Sequence, residues 1–184
     1  HVNTAKYSKK SEGFLKELKA VPTNVKTQIT KHLYNGNFNA AEGLMRGVST
    51  KMAVEFKNTI RPLLDELGTE LKDAGHSFEK IDNYFPRLVK DYDGLRETLG
   101  LTEQGIITKQ LQEYAKRKKT KVANLSNEER SQIVDLALRG YRQTVDGGKP
   151  KFAKQRVLAE VDETQLSSYA PPEESLAMYI RNAV

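Results

Sequence analysis

The residue types that could carry chemistry are concentrated between Ile81 and Gly94. In chain order they are Tyr84, Phe85, Arg87, Asp91 and Asp93. A core segment does not need so many charges, and an ordinary solvent loop does not need so many aromatic rings. Arginine offers a rigid fork of donors to carboxylates and backbone carbonyls. We therefore expect a fixed loop whose aromatic side chains are anchors, while its arginine and aspartates make specific polar contacts.

The sequence leaves two interpretations of these charges open. In the first, which we favour, Arg87 and Arg156 brace irregular chain against helices. The acids expected to pair with them are Asp82, Asp91 and Glu160. In the second, the two arginines, Asp91 and Asp93 surround one pocket as an anion, partner or enzyme site. An enzyme site of this kind would contain at least one carboxylate with a strongly perturbed pKa.

The usual motifs of metal and nucleophilic catalysis are missing from the sequence. It has no cysteine, and His1, His32 and His76 are far apart, in no spacing typical of metal ligands. No G-x-S-x-G or H-E-x-x-H motif occurs. Asp91 and Asp93 lack the further ligands of a calcium loop, so one of them is expected to cap the next helix. We predict no catalytic residue, no metal site and no cofactor.

Five cations lie at the end of the helix predicted to start near Leu101. They are Lys116, Arg117, Lys118, Lys119 and Lys121. Such a cluster would bind phosphates without reading base sequence. It would equally neutralise the negative end of the helix dipole while remaining solvated. We favour this second interpretation and keep a nucleic-acid site as the alternative.

The composition indicates a helical protein with a thin core. Charged residues make up 29% of the 184 residues and hydrophobic residues 38%. The net charge of +6 suits a polyanion partner, although acids and bases are mixed nearly everywhere. No apolar run approaches the roughly 20 residues of a membrane span, and no signal peptide is visible.

Apolar spacing predicts an all-α fold of about seven helices. In chain order, the expected helices cover residues 8–19, 23–34, 40–46, 49–74, 101–118, 126–141 and 171–184. The longest should be kinked near Pro62, because proline removes a helical hydrogen bond and clashes with the preceding turn. Residues 150–162 lack helical spacing, which indicates an irregular or short extended segment. Ser126 and Glu129 have the spacing of a capping box.

Both ends have the appearance of cuts, since His1 is not an initiator and Val184 stops within an amphipathic pattern. We expect a single helical domain over residues 1–184, excised from a much longer polypeptide. Residues 1–47 are a candidate helical subdomain. The sequence leaves the oligomeric state open.

Several motifs resemble those of one family. The run from Asn83 to Leu95 is similar to an N-Y-F-P-R-x-V-K-D signature, and the chain from Lys151 to Arg181 is similar to an F-x-K-x-R … Y-x-x-P-x-x-[AS]-L-x-x-Y-I-R ending. The turn at residues 33–42 resembles an L-N-G-D-F-x-x-A motif, with Asn37 where aspartate is commoner. Together they resemble helical regions of large polyvalent proteins of tailed bacteriophages and related mobile elements.

The resemblance implies a non-catalytic structural or interaction module of a large phage protein. It implies packaging in the virion and delivery with the genome, so we expect the chain in the virion or the bacterial host cytoplasm. The expected partners are other segments of the parent polypeptide or other phage proteins. A nucleic-acid-binding module and an accessory fragment of a phage enzyme are the alternatives.

We also predict how the last helix packs against the motif residues. The signature loop, which we define as residues 84–93, should lie beside residues 151–156, with the last helix closing over both. The expected apolar contacts come from Tyr84, Phe85, Phe152, Tyr169 and Tyr179, and we include Arg181 among the polar contacts.

Overall fold

The computed structural model describes residues 3–73, 83–127, 129–130, 133–134, 140–146, 149–157, 160–181 and 183. For residue 72 and residues 140–157 of this set it describes the backbone alone. Contacts divide the chain into two compact units. The first consists of His1–Pro86 with Pro171–Val184, and the second of Arg87–Ala170.

Three helices begin the first unit: α1 (Thr4–Lys19), α2 (Thr23–Tyr34) and α3 (Phe38–Val48). Helix α1 starts earlier than predicted, because the Asn3 side chain caps it by accepting from the Lys6 amide at 3.1 Å. Helix α2 begins at Thr23 as predicted, with Pro22 at the capping position.

The predicted long helix is interrupted where Pro62 required it. Ser49 caps α4 (Thr50–Glu55), a π-helical turn covers Phe56–Ile60, and α5 covers Arg61–Asp73. The Arg61 amide donates to the Phe56 carbonyl, five residues back. A π turn shifts the hydrogen-bond register just before a residue that has no amide proton to donate.

Apolar side chains of these helices form the core of the first unit. Apolar residues recur at three- and four-residue steps from α4 to α5, and all of them are buried: Met52, Phe56, Ile60, Leu63, Leu64, Leu67 and Leu71. The Phe56 ring lies 5.8 Å from Phe14 and 5.3 Å from Phe38, between centroids. The last helix, which we call α9 (Pro172–Arg181), packs against α1. It buries Leu176 and Ile180, and Tyr179 is half-buried.

The second unit begins with α6 (Tyr92–Thr98) and α7 (Leu101–Arg117), followed by a 3-10 turn at Val122–Asn124. Gly100 is the N-cap of α7. Helix α8 (Glu163–Leu166) is a single turn with a capping box between Asp162 and Gln165.

The Ser126–Glu129 capping box is confirmed. The Ser126 amide donates to the Glu129 carboxylate at 3.0 Å, and the Glu129 amide donates to the Ser126 hydroxyl at 3.2 Å. Residues 127, 129–130 and 133–134 are helical, and Ile133 and Val134 are buried. Residues 137 and 138, also predicted in this helix, lie outside the described part.

One assignment in this region was wrong. Tyr141 belongs to strand β1 (Gly140–Asp146), which pairs antiparallel with β2 (Lys149–Val157). The prediction extended the helical spacing of residues 133–138 by one more apolar position, to Tyr141. Gly140 and the β-branched and aromatic residues after it instead favour a strand. Strand β2 confirms the extended segment expected near residue 150.

The all-α fold of about seven helices is confirmed. With the interrupted long helix counted once, eight α-helices have the bounds given above, and the described residues between 127 and 134 are helical as well. The hairpin of β1 and β2 is the addition to the predicted fold. The two compact units are a feature that we did not predict. Units of this kind can form one domain or two, so the single domain over 1–184 and the subdomain over 1–47 remain predictions.

Candidate functional site: signature loop and basic turn

The aromatic anchors of the signature loop are packed within the first unit. Phe85 is fully buried, and its ring centroid lies 6.1 Å from that of Tyr34 on α2. The Tyr84 ring meets Tyr179 of α9 edge-on, with 5.7 Å between centroids. Offset and edge-to-face pairs at these separations are favourable. The predicted contact between the start of the loop and the last helix is therefore present.

The rest of the signature loop belongs to the second unit, where its backbone pairs with the chain before Pro171. The amides of Lys90 and Asp91 both donate to the Ser168 carbonyl, at 2.8 and 3.0 Å. The Ala170 amide donates to the Leu88 carbonyl at 2.8 Å. An isolated antiparallel bridge joins Val89 to Tyr169. We call this arrangement of residues 87–91 and 168–170 the two-strand clasp.

Arg87 lies inside this clasp. It is only 4% exposed, and the central carbon of its guanidinium group lies 6.0 Å from the Tyr169 ring centroid. A guanidinium at this distance from a ring face is attracted by the ring quadrupole, more strongly when both are shielded from water. These contacts suit a residue that braces chain. The pairing of Arg87 with Asp82, Asp91 or Glu160 stays a prediction.

The two aspartates serve the helix that follows the loop. Asp91 is the N-cap of α6, and its carboxylate accepts a hydrogen bond from the Gly94 amide at 3.0 Å. Asp93 is exposed in the first turn, where a negative charge suits the positive end of the helix dipole. The expected helix cap is confirmed for Asp91. These positions suit helix initiation, and Asp91 and Asp93 do not converge with Arg87 on a described cavity.

The remaining predicted residues are spread over other elements. The Arg156 backbone pairs with Tyr141 in the hairpin, and its side chain lies outside the described part. The same holds for the side chain of Phe152, and Asp82 and His76 lie outside the described residues altogether. Arg181 ends α9 and is exposed.

The five cations at the end of α7 are all exposed, and we call Lys116, Arg117, Lys118, Lys119 and Lys121 the basic turn. Lys118 is the C-cap of α7, and Lys119 has a φ of 55°. Leaving the helix through a left-handed residue turns the chain sharply. Behind it, Arg130 donates to the carbonyls of Val122 and Ala123, both at 3.3 Å, which holds the chain after the turn.

One aromatic ring and one acid accompany the basic turn. The Tyr114 ring has the charged groups of Lys118 at 5.3 Å and Arg117 at 5.9 Å from its centroid. Lys118 forms an ion pair with Glu129. The hydrogen bond to Glu129, and a second to Tyr114, raise the pKa of Lys118. The hydrogen bonds from Lys118 and the Ser126 amide lower the pKa of Glu129.

Lys116, Lys119 and Lys121 are not in ion pairs with any described acid. The basic turn therefore keeps a net positive charge after Lys118 is paired. It can contact a polyanion electrostatically, and it offers a single ring for stacking.

Among the described residues there is no group of three or more histidines, aspartates or glutamates placed to hold a metal ion. His32 is half-buried. In the same part of the chain, every helix is too short or too polar to cross a membrane.

Sequence reasoning missed two polar contacts of the first unit. The Tyr34 and Ser175 hydroxyls lie 2.7 Å apart, and both residues are buried. Arg61 donates to Asn39 at 3.2 Å. Serine and asparagine are common in turns and at helix ends, so residue type alone gave no sign of either contact. The chain matches no family model, no curated protein and no solved structure.

Proposed function

We propose that this chain is a non-catalytic structural and interaction module of a large phage protein, packaged in the virion and delivered with the genome. The phage origin rests on the ordered set of motifs at residues 33–42, 83–95 and 151–181. Its partners would be other segments of the parent polypeptide or other phage proteins.

The burial of residues in the signature loop is the main observation that supports a non-catalytic role. Phe85 and Arg87 are 0% and 4% exposed, and Asp91 caps a helix. Residues that recognise a substrate must reach it, whereas residues that hold helices together are enclosed by them. The motif that most resembles a functional signature is thus used in packing.

Mass spectrometry of purified phage particles tests the origin and the location together. Particles would be induced from a strain carrying the gene and separated from the lysate on a density gradient. We expect peptides of this chain to follow the capsid proteins through the gradient. Peptides recovered only from the soluble lysate would contradict packaging.

A second candidate function, binding to nucleic acid, is favoured by the basic turn. Four of its five cations are exposed without a described acid partner, at one end of one helix. Phosphate contacts of this kind release counterions, so the affinity must fall steeply as salt rises. The favoured module role requires no such binding.

A salt titration with single- and double-stranded DNA separates the two functions. The informative variant changes Lys116, Lys119 and Lys121 to Gln. A matched control changes Lys9, Lys16 and Lys19, which are exposed on α1, to Gln. If the basic turn binds nucleic acid, only the first variant loses affinity and has a shallower salt dependence. Equal losses in both variants would indicate an effect of net charge alone.

A further inference from the structure

A cavity of about 430 Å³ lies where α2 gives way to α3 in the first unit. It is lined by residues 36–37 of the connecting turn, by residues 38–40 at the start of α3, and by His32, Arg61 and Asn83. This turn belongs to the motif at residues 33–42, to which the proposed function assigns no binding role. The lining contains a guanidinium, an imidazole and three carboxamides, and none of its side chains is an acid.

Arg61 is the charged group of this cavity, and its position is fixed from two sides. Its Nη1 atom donates to the side-chain Oδ1 atom of Asn39 at 3.2 Å. The central carbon of the guanidinium lies 5.5 Å from the Phe38 ring centroid. A guanidinium has five N–H donors, so one bond to Asn39 leaves most of its donor capacity for a planar or tetrahedral anion.

The start of α3 faces the same cavity. Its N-cap, Asn37, makes no capping hydrogen bond with its side chain, and the first turn contains no acidic residue. The first amides of any helix lack carbonyl partners within it, and the dipole makes this end positive. Amides of Phe38, Asn39 and Ala40 are therefore in the position where helices bind anions.

His32 adds an independent observation. Its Nδ1 atom is buried from solvent and has no hydrogen-bond partner among the described residues. Buried polar atoms are normally satisfied, so a bound group that supplies the partner would explain this one. The carbonyl of the same residue accepts from the Asn37 amide at 2.8 Å, which ties His32 to the turn.

We propose that this cavity is a binding site for the oxyanion of a small molecule, either a phosphate group or a carboxylate. The α3 amides and the Arg61 guanidinium would hold the oxygens. The carboxamides of Asn37 and Asn83 and the Nδ1 atom of His32 would contact the rest of the ligand. The site goes beyond the module role, which does not depend on it.

An NMR titration of the intact chain tests the site with two probes, inorganic phosphate and acetate. We expect saturable shifts of the amide signals of Phe38, Asn39 and Ala40. Saturation by phosphate alone assigns a phosphate group, and saturation by acetate alone assigns a carboxylate. If neither probe shifts these amides at millimolar concentration, the proposal is overturned.

Two variants and one control make the test specific. Arg61→Gln should weaken binding about tenfold or more, through the loss of a charge-assisted bond. Arg46→Gln removes the same charge from the exposed far end of α3 and should leave binding unchanged. Equal effects of the two changes would overturn the site.

Asn39→Asp tests the site in a variant that is expected to remain folded. An aspartate in the first turn of α3 suits the helix dipole and can pair with Arg61, so the melting temperature should stay equal or rise. The same carboxylate should repel the probe and abolish the amide shifts. Undiminished phosphate shifts in this stable variant would contradict the proposal.

Discussion

Arg87 and Tyr169 lie against one another, with 6.0 Å between the guanidinium carbon and the ring centroid, and neither is more than 6% exposed. Around them, the backbone bonds of the two-strand clasp join residues 88–91 to 168–170. A cation enclosed by a ring and by paired backbone is placed to hold chain together. It is poorly placed to meet a ligand from solvent.

The ring of Tyr169 should matter more than its hydroxyl. A shielded cation–π contact contributes about 1–2 kcal/mol, and phenylalanine retains a ring face where leucine has none. We therefore expect Tyr169→Leu to lower the free energy of unfolding by about 1 kcal/mol more than Tyr169→Phe does. Urea denaturation measures both. Equal losses would show that the ring face contributes nothing.

Gly94→Ala is expected not to stabilise the protein, although replacing glycine by alanine usually stabilises a helix. Alanine improves a helix interior by up to about 1 kcal/mol over glycine. A Cβ at Gly94, however, would lie 2.3 Å from the Asp91 carboxylate that caps α6. Displacing that cap costs about 1 kcal/mol, so Gly94→Ala should bring no net gain.

Removing the Asp91 cap first separates the two effects of Gly94→Ala, the gain in helix propensity and the displacement of the cap. In an Asp91→Ala background, Gly94→Ala should become stabilising, because the cap is already gone. Gly105→Ala is the matched control, since a Cβ there meets nothing within 4 Å and should stabilise α7 directly. Thermal melts compare the unmodified chain, the two single variants at Asp91 and Gly94, the double variant and Gly105→Ala. A gain from Gly94→Ala in the unmodified chain would contradict the predicted clash.

The Lys118–Glu129 ion pair predicts a pH dependence of stability. The pKa of Glu129 is lowered by folding, so its contribution is present above the unfolded value of about 4.3 and is lost as pH falls through the folded value. The pKa of Lys118 is raised, so its contribution is present below about 10.4 and is lost as pH rises through the folded value. The pair therefore stabilises between these limits.

Glu129→Gln isolates the charge, because glutamine can replace glutamate in a capping box. The variant should melt at a lower temperature than the original chain at neutral pH, by a small amount since the pair is at the surface. The difference should shrink in acid. A difference that persists unchanged at low pH would assign it to the cap and not to the ion pair.

The Tyr34–Ser175 hydrogen bond should appear as a coupling energy. Its oxygens are 2.7 Å apart and buried, and they join α2 to α9. A buried neutral hydrogen bond contributes about 1 kcal/mol net. A double-mutant cycle with Tyr34→Phe and Ser175→Ala should give a coupling near that value. Additive effects of the two changes would show that the bond does not stabilise the fold.

Local chemistry made some features predictable from the sequence. Proline has no amide proton, so a break in the long helix near Pro62 followed from one residue. The caps at Asp91 and Ser126 followed from short spacings within one helix turn. Each of these depends on neighbours close in the chain, which is where sequence patterns are informative.

Contacts between distant segments were not predictable in the same way. The amides of Lys90 and Asp91 bond to the carbonyl of Ser168, and a backbone carbonyl gives no sign in the residue type. Arg61 was unremarkable in the sequence, yet at the start of α5 it donates to the side chain of Asn39 on α3, 22 residues earlier in the chain. The hairpin was expected only in its second half, because the apolar spacing before Gly140 continued the helical pattern.

Urea denaturation of Arg87→Ala, beside Arg181→Ala, tests most directly whether the signature loop holds the fold together. Arg181 is the matched control because it is exposed at the end of α9. We expect Arg87→Ala to lower the free energy of unfolding by about 2 kcal/mol or more, and Arg181→Ala to change it by less than about 0.5 kcal/mol. If both variants are equally stable, Arg87 is not a structural brace and the account of the loop is wrong.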